Sequence, residues 1–211
     1  MATSLDPDVQ RINSQARAAA CLAEADAAYA CQDLTGARDA LLQALSFAPD
    51  AVPISVCLGD VQFQLGAFSE ALECYRRADG LKADDAGILI RLANAAAHCD
   101  AAELLGQTLQ RVLALNPDHP DALRLAINHH LEQGRFAEAA RHCCAFLRTN
   151  PNDLLLLLQL GKCLREINDS GSARWCYERA LELDPNCTLA QECLARLNGV
   201  GETAAQNPGA R

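Results

Sequence analysis

Residues 58–78, LGDVQFQLGAFSEALECYRRA, contain two helical patterns of apolar residues separated by a glycine. Apolar residues recur at helical spacing from Val56 to Leu65, Gly66 interrupts the pattern, and the spacing resumes from Ser69 to Leu81. This segment therefore predicts two consecutive helices joined by a short turn.

The same arrangement returns along the chain with a fixed period of about 34 residues. Prolines mark the period at Pro49, Pro117, Pro151 and Pro185, and Ala83 occupies the one place that proline skips. Each proline stops a second helix, because it lacks an amide hydrogen and clashes with the preceding turn. The period predicts five units, which span residues 18–51, 52–85, 86–119, 120–153 and 154–187.

Small residues recur at three places of the period, where two helices must approach each other closely. They are Ala25, Gly59, Ala93 and Gly161 at the first place, Ala37, Ala71, Ala139 and Ala173 at the second, and Ala44, Ala78 and Ala180 at the third. With Tyr75 and Tyr177 at a further shared place, residues 18–187 resemble the tetratricopeptide repeat. The resemblance implies an all-α fold, an α-α superhelix (solenoid) of five helical hairpins.

The sequence outside the repeats predicts a helix at each end. Residues 1–17 are interpreted as an extension with a leading helix from about residue 6, since Asp6 can cap a helix and Pro7 suits its first turn. Residues 188–198 continue the apolar pattern and are interpreted as a capping helix that covers the end of the repeats. The composition of residues 199–211 predicts a disordered tail.

The third and fourth units depart from the small-residue pattern. Leu105 and Val112 stand at small places of the third unit, and Ile127 and Phe146 at small places of the fourth. Because larger side chains hold helices apart, we expect the stack to bend or loosen around residues 100–127.

Charge and composition restrict the partners and the compartment. The net charge of −9 disfavours nucleic acid, whose phosphates an acidic chain repels. The first residues lack the basic and apolar segments of a secretory signal, and apolar runs such as Leu154–Leu158 are far shorter than the roughly 20 residues that cross a bilayer. We expect a soluble cytoplasmic protein with no membrane partner, in which most of the 11 cysteines act as small apolar residues.

The resemblance also implies that the first helix of each hairpin lines a concave, protein-binding groove. One polar residue of each unit recurs there with the period, and we call these five residues the polar row: Asp26, Asp60, Asn94, Asn128 and Lys162. The row changes from acidic to basic, so it would match a peptide of opposite polarity. The predicted groove residues are Asp26, Tyr29, Asp60, Phe63, Arg91, Asn94, Arg124, Asn128, Lys162 and Arg165.

Catalysis, cofactors and metals are not expected. The sequence contains no phosphate-binding loop, nucleophile elbow or zinc-protease motif. Its densest groups of metal-ligating residues are residues 142–144 and the pair His129 and His130. Consecutive helical side chains diverge by about 100°, which opposes convergence on one metal ion.

The favoured function is therefore that of a non-catalytic scaffold or adaptor, which binds an extended peptide or a helix of another protein in the groove. Two alternatives stay open by family analogy: a targeting subunit for a separate enzyme of the glycosyl- or methyltransferase type, and a chaperone for exported proteins. Arg124 with Asn128 resembles one corner of the clamp by which some tetratricopeptide repeat proteins bind the C-terminal carboxylates of chaperones. Gln159 on the next hairpin leaves that clamp incomplete.

Overall fold

The computed structural model describes residues 7–205, and the side chains of residues 8–198. Eleven α-helices follow one another in these residues: α1 (Pro7–Ala30), α2 (Leu34–Phe47), α3 (Val52–Gln64), α4 (Phe68–Leu81), α5 (Ala86–His98), α6 (Ala102–Leu115), α7 (Pro120–Glu132), α8 (Phe136–Thr149), α9 (Leu154–Glu166), α10 (Ser170–Leu183) and α11 (Thr188–Ala205). Helices α1 to α10 pair into the five predicted hairpins, and α11 follows as the capping helix. No helix in the described part of the chain has the length and apolar character needed to cross a bilayer.

The turn inside every hairpin has the same backbone geometry, although only two of the five contain glycine there. A residue with positive φ recurs at this one place of every repeat: Gln32 (61°), Gly66 (77°), Asp100 (52°), Gly134 (67°) and Asn168 (63°). Asp84 (57°), in the turn between α4 and α5, also has a positive φ. Aspartate and asparagine adopt this left-handed conformation more readily than other residues with a side chain. The third unit therefore makes the turn without a glycine.

Six of the helices in the described residues start at an aspartate cap or a first-turn proline. The carboxylates of Asp33, Asp85, Asp153 and Asp169 accept hydrogen bonds from amides in the first turns of α2, α5, α9 and α10. Proline occupies the first turn of α3 and of α7, where its missing amide hydrogen costs nothing. These signals mark the start of the second to fifth hairpins, at α3, α5, α7 and α9, and the start of the second helices α2 and α10.

The two ends of the chain differ from the sequence-based prediction. Helix α1 is one continuous helix from Pro7 to Ala30, so the leading helix and the first helix of the first repeat are not separate elements. Helix α11 continues to Ala205 rather than ending at residue 198, so the predicted tail is helical as far as that residue. The predicted capping helix stops before Gly199, but glycine lowers helix propensity by only about 1 kcal/mol and does not forbid the conformation. Residues 1–6 and 206–211 lie outside the described residues.

The chain divides into two compact units, one ending at Leu115 and the other beginning at Asn116. From here on, the first and second unit are these two parts of the chain, and the five 34-residue segments are called repeats. The first contains α1 to α6 and the second α7 to α11. The boundary falls inside the predicted region of loosening, residues 100–127, but the bend itself stays a prediction. Leu105, Val112 and Phe146 are all buried, so the larger side chains at small places are packed into their own units.

Candidate functional site

The first unit contains a cleft of about 690 Å³, lined mainly by the first helices of three successive hairpins, α1, α3 and α5. Its volume lies in the range of ordinary ligand sites, about 300–1,000 Å³. Six of the ten groove residues predicted from the sequence line this cleft: Asp26, Tyr29, Asp60, Phe63, Arg91 and Asn94. The polar row thus contributes three members to one cavity.

Asp60 is held by two donors inside the cleft. The hydroxyl of Tyr75 donates to its Oδ1 at 2.7 Å, and the Nε of Arg91 donates to Oδ1 at 2.8 Å and to Oδ2 at 3.2 Å. Arg91 also donates from Nη1 to the carbonyl of Gly87 at 3.0 Å. The hydrogen bond to Asp60 raises the pKa of Arg91, and burial followed by the same carboxylate raises the pKa of Tyr75.

The pairing of Asp60 with Arg91 changes the charge of the predicted groove. Arg91 is one of the predicted groove residues, and it carries a positive charge. In the structure its charge is matched by Asp60 on the neighbouring first helix. Within the cleft these two residues cancel, and they act together as a polar, nearly neutral wall.

Asp26 occupies the same place in the first repeat as Asp60 in the second, but it lacks the corresponding cation. Arg91 lies 31 residues after Asp60 in the sequence. The residue at the same distance after Asp26 is Cys57, which carries no positive charge. Burial and then the carboxylates of Asp60 and Asp26 raise the pKa of the Cys57 thiol, so this side chain stays uncharged near neutral pH. No ion pair or hydrogen bond of the Asp26 side chain occurs among the described residues.

Aromatic rings form the other wall of the cleft. The hydroxyl of Tyr29 accepts a hydrogen bond from the Nε2 of Gln64 at 2.7 Å, which fixes the position of a ring that is 46% exposed. Phe63 makes an edge-to-face contact with Phe68, their ring centroids 5.0 Å apart. His98 stacks on Phe68 with its centroid at 4.3 Å. These contacts orient an apolar surface beside the carboxylates.

The remaining groove residues belong to the second unit. Arg124 and Asn128 line a smaller cleft of about 310 Å³, together with Asp153, Leu155 and Gln159. Lys162 and Arg165 do not line that cleft. Lys162 is exposed on α9, and Arg165 forms an ion pair with Glu166 at 2.7 Å. Each unit therefore presents its own part of the polar row.

Among the cleft residues with polar side chains, four are absent from the predicted groove residues: Cys57, Gln64, Tyr75 and His98. The sequence assigned Tyr75 to helix packing alone, whereas its hydroxyl also reaches Asp60. The useful signal was the sequence interval from Asp60 to Arg91, slightly shorter than one period, which places side chains of neighbouring first helices side by side. The interval is informative only when the packing of neighbouring first helices against each other is considered.

The histidines and cysteines of the second unit form contacts of their own. His130 stacks on His142 with ring centroids 5.3 Å apart, and Cys143 and Cys163 are both fully buried. Among the residues that the structure describes, no three His, Cys, Asp or Glu side chains are arranged to hold a metal ion.

Comparison with protein-family models assigns the chain. Models of the tetratricopeptide repeat match residues 22–86, 100–154 and 155–187. The chain belongs to the tetratricopeptide repeat family. A comparison with curated proteins gives no match.

Solved structures of tetratricopeptide repeat proteins have the same fold. The crystal structure of MamA is 20% identical, covers 80% of this chain and 92% of its own, and has a TM-score of 0.74. YrrB, described as a TPR protein with an unusual peptide-binding site, is 17% identical over 90% of this chain and 98% of its own, with a TM-score of 0.72. A tetratricopeptide repeat protein from Parabacteroides merdae is 18% identical over 90% of this chain and 75% of its own, with a TM-score of 0.72. The all-α fold of helical hairpins, predicted as a tetratricopeptide solenoid, is thereby confirmed.

Proposed function

We propose that this chain is a non-catalytic adaptor that binds a peptide segment of another protein in the cleft of its first unit. The observation that carries the proposal is the convergence of six predicted groove residues on one cavity. Membership in the tetratricopeptide repeat family supports a protein-interaction scaffold, and the solved structures to which the chain is similar include one described as having a peptide-binding site.

The chemistry of the cleft supports a peptide over a small metabolite. Tyr29 and Phe63 offer apolar anchors, while Asp26 and Asn94 offer polar groups along the same face. The Nδ2 of Asn94 already donates to the carbonyl of Ile90 at 3.0 Å, which leaves its second hydrogen and its oxygen for a ligand backbone. A cleft lined by several parallel helices can accept an extended strand or one face of a helix.

Selection of random peptides of about twelve residues, displayed on phage, tests this function with the full chain. We expect peptides to be enriched on the native protein and lost on Tyr29→Ala, because Tyr29 is an exposed aromatic anchor whose removal leaves the core intact. Arg124→Ala tests the second cleft in the same way. Arg141→Ala is the matched control, since Arg141 is exposed on α8 and lines neither cleft.

The outcome separates the possible functions. Peptides that share a motif and depend on Tyr29 support an adaptor with a defined partner. Enrichment of diverse apolar peptides without a motif favours the chaperone for exported proteins. If no peptide is enriched on the native chain, the proposed function is wrong.

A further inference from the structure

The cleft of the first unit carries one uncompensated negative charge. Asp60 and Arg91 neutralise each other at 2.8 Å, and Tyr75 adds a neutral donor to the same carboxylate. Asp26 has no such partner among the described residues, because Cys57 occupies the place that corresponds to Arg91. Asp26 is exposed, so its carboxylate can attract a cationic group of a ligand that enters the cleft.

An aromatic face lies next to this charge. Tyr29 lies one helical turn after Asp26 on α1, so the two side chains are neighbours on one helix face, about 5–6 Å apart at their Cβ atoms. The hydrogen bond from Gln64 fixes the Tyr29 ring, which lines the cleft. A cation placed against Asp26 therefore also lies beside the ring, and an aromatic face adds about 0.5–1 kcal/mol to cation binding at exposed sites.

We propose that this cleft is a subsite for a basic side chain of the bound peptide, an arginine or a lysine, held between the carboxylate of Asp26 and the ring of Tyr29. The inference rests on the proposed function and names the chemistry of its ligand. Arginine fits better than lysine, because a planar guanidinium can bond the carboxylate and stack on the ring at once. The net charge of −9 favours the approach of the same partner.

The peptide selection, repeated on Asp26→Asn, tests this chemistry. Peptides enriched on the native chain should carry arginine or lysine at one fixed position, and this preference should disappear on Asp26→Asn. Asp50→Asn is the matched control, because Asp50 is exposed in the turn between α2 and α3 and its replacement removes the same charge outside the cleft. It should leave the preference unchanged.

Synthetic versions of the best peptide make the test quantitative. Replacing its basic residue by norleucine should weaken binding to the native chain about fivefold to tenfold, as measured by fluorescence anisotropy. The same replacement should have no further effect on Asp26→Asn, since the two changes remove one interaction.

The two proposals fail in different ways. Enriched peptides that lack a basic position, or whose basic position persists on Asp26→Asn, overturn the cationic subsite and leave the adaptor function standing. A selection that enriches nothing overturns both.

Discussion

Two facing places within each hairpin compensate each other in side-chain size. A Cβ atom built on Gly59 would lie 2.5 Å from the Tyr75 ring, and one on Gly161 would lie 2.6 Å from the Tyr177 ring. The corresponding places hold the buried pairs Ala25 with Leu41, Ala93 with Leu109, and Ile127 with Cys143. As the residue on the first helix grows, the residue on the second helix shrinks. The fourth repeat thus accommodates Ile127 because Cys143 stands where the second and fifth repeats have tyrosine.

This compensation predicts that Gly59→Ala destabilises the protein. The new methyl group would overlap ring atoms of Tyr75, which is only 2% exposed, so the free energy of unfolding should fall by about 1–3 kcal/mol in urea denaturation. Gly80→Ala is the control, because nothing lies within 4 Å of its added Cβ, and it should raise stability by about 0.5–1 kcal/mol. Equal effects of the two substitutions would contradict the packing account.

Gln32 is predicted to be a strained residue of the first hairpin turn. Its φ of 61° lies in the left-handed region, which costs a residue with a Cβ atom about 1–2 kcal/mol. Gln32→Gly should therefore raise the free energy of unfolding by up to about 1 kcal/mol, after the greater chain entropy of glycine is subtracted. Gly66→Ala, at the same place of the second repeat, should lower it by a similar amount. A destabilising Gln32→Gly would show that the side chain makes contacts worth more than the strain.

At the scale of helices, the hairpin formed by α7 and α8 should be sensitive to acid. His129, His130 and His142 lie together there, and burial lowers the pKa of each. The charged residues that influence them are Glu132, Arg135, Glu138 and Arg141. Unfolded histidine has a pKa of about 6.5, so below that pH the unfolded chain binds more protons than the folded one, and stability falls.

Replacing His142 by glutamine should flatten this dependence. Unfolding free energies measured from about pH 7 down to pH 5 should fall less steeply for His142→Gln than for the native chain, because one proton fewer is taken up on unfolding. At pH values well above 6.5 this contribution is absent, since the ring is neutral in both states. An unchanged slope would mean that the stacked ring of His142 titrates as it does in the unfolded chain.

The hairpins were predictable from the sequence, whereas the charge pattern of the cleft was not. Prolines, turn residues and small places each recur with the period, so local chemistry alone located ten helices. The end of α11 was misjudged because glycine weakens a helix without ending it. The pairing of Asp60 with Arg91 depends on how two first helices lie beside each other, and no local pattern records that distance.

For the whole molecule, low sequence identity to solved structures of the same fold indicates that the fold tolerates replacement of most of its residues. The fold is maintained by buried places such as Ala71 and Ala173, which leave no exposed atoms. Exposed cleft residues such as Asp26 are free of that packing requirement, so they can vary without loss of the fold.

The eleven cysteines give a measure of packing over both units at once. Three are exposed, Cys31, Cys57 and Cys144, and five are buried, Cys21, Cys143, Cys163, Cys176 and Cys193. With a thiol reagent such as DTNB, about three thiols should react quickly in the native protein, and all eleven should react in guanidinium chloride.

The rates should differ even among the exposed thiols. Burial raises the pKa of Cys57 and of Cys144, which lowers the thiolate fraction that attacks the reagent. Among the three exposed thiols, Cys57 and Cys144 should therefore react with DTNB more slowly than Cys31. Cys57→Ser should remove one of these two slower reactions. Cys163→Ser should leave the reaction of the exposed thiols unchanged, since Cys163 is fully buried. A peptide bound in the first cleft should protect Cys57 and leave Cys144 reactive, because only Cys57 lines that cleft. Equal reaction of all eleven thiols in the native protein would show that neither unit packs as described.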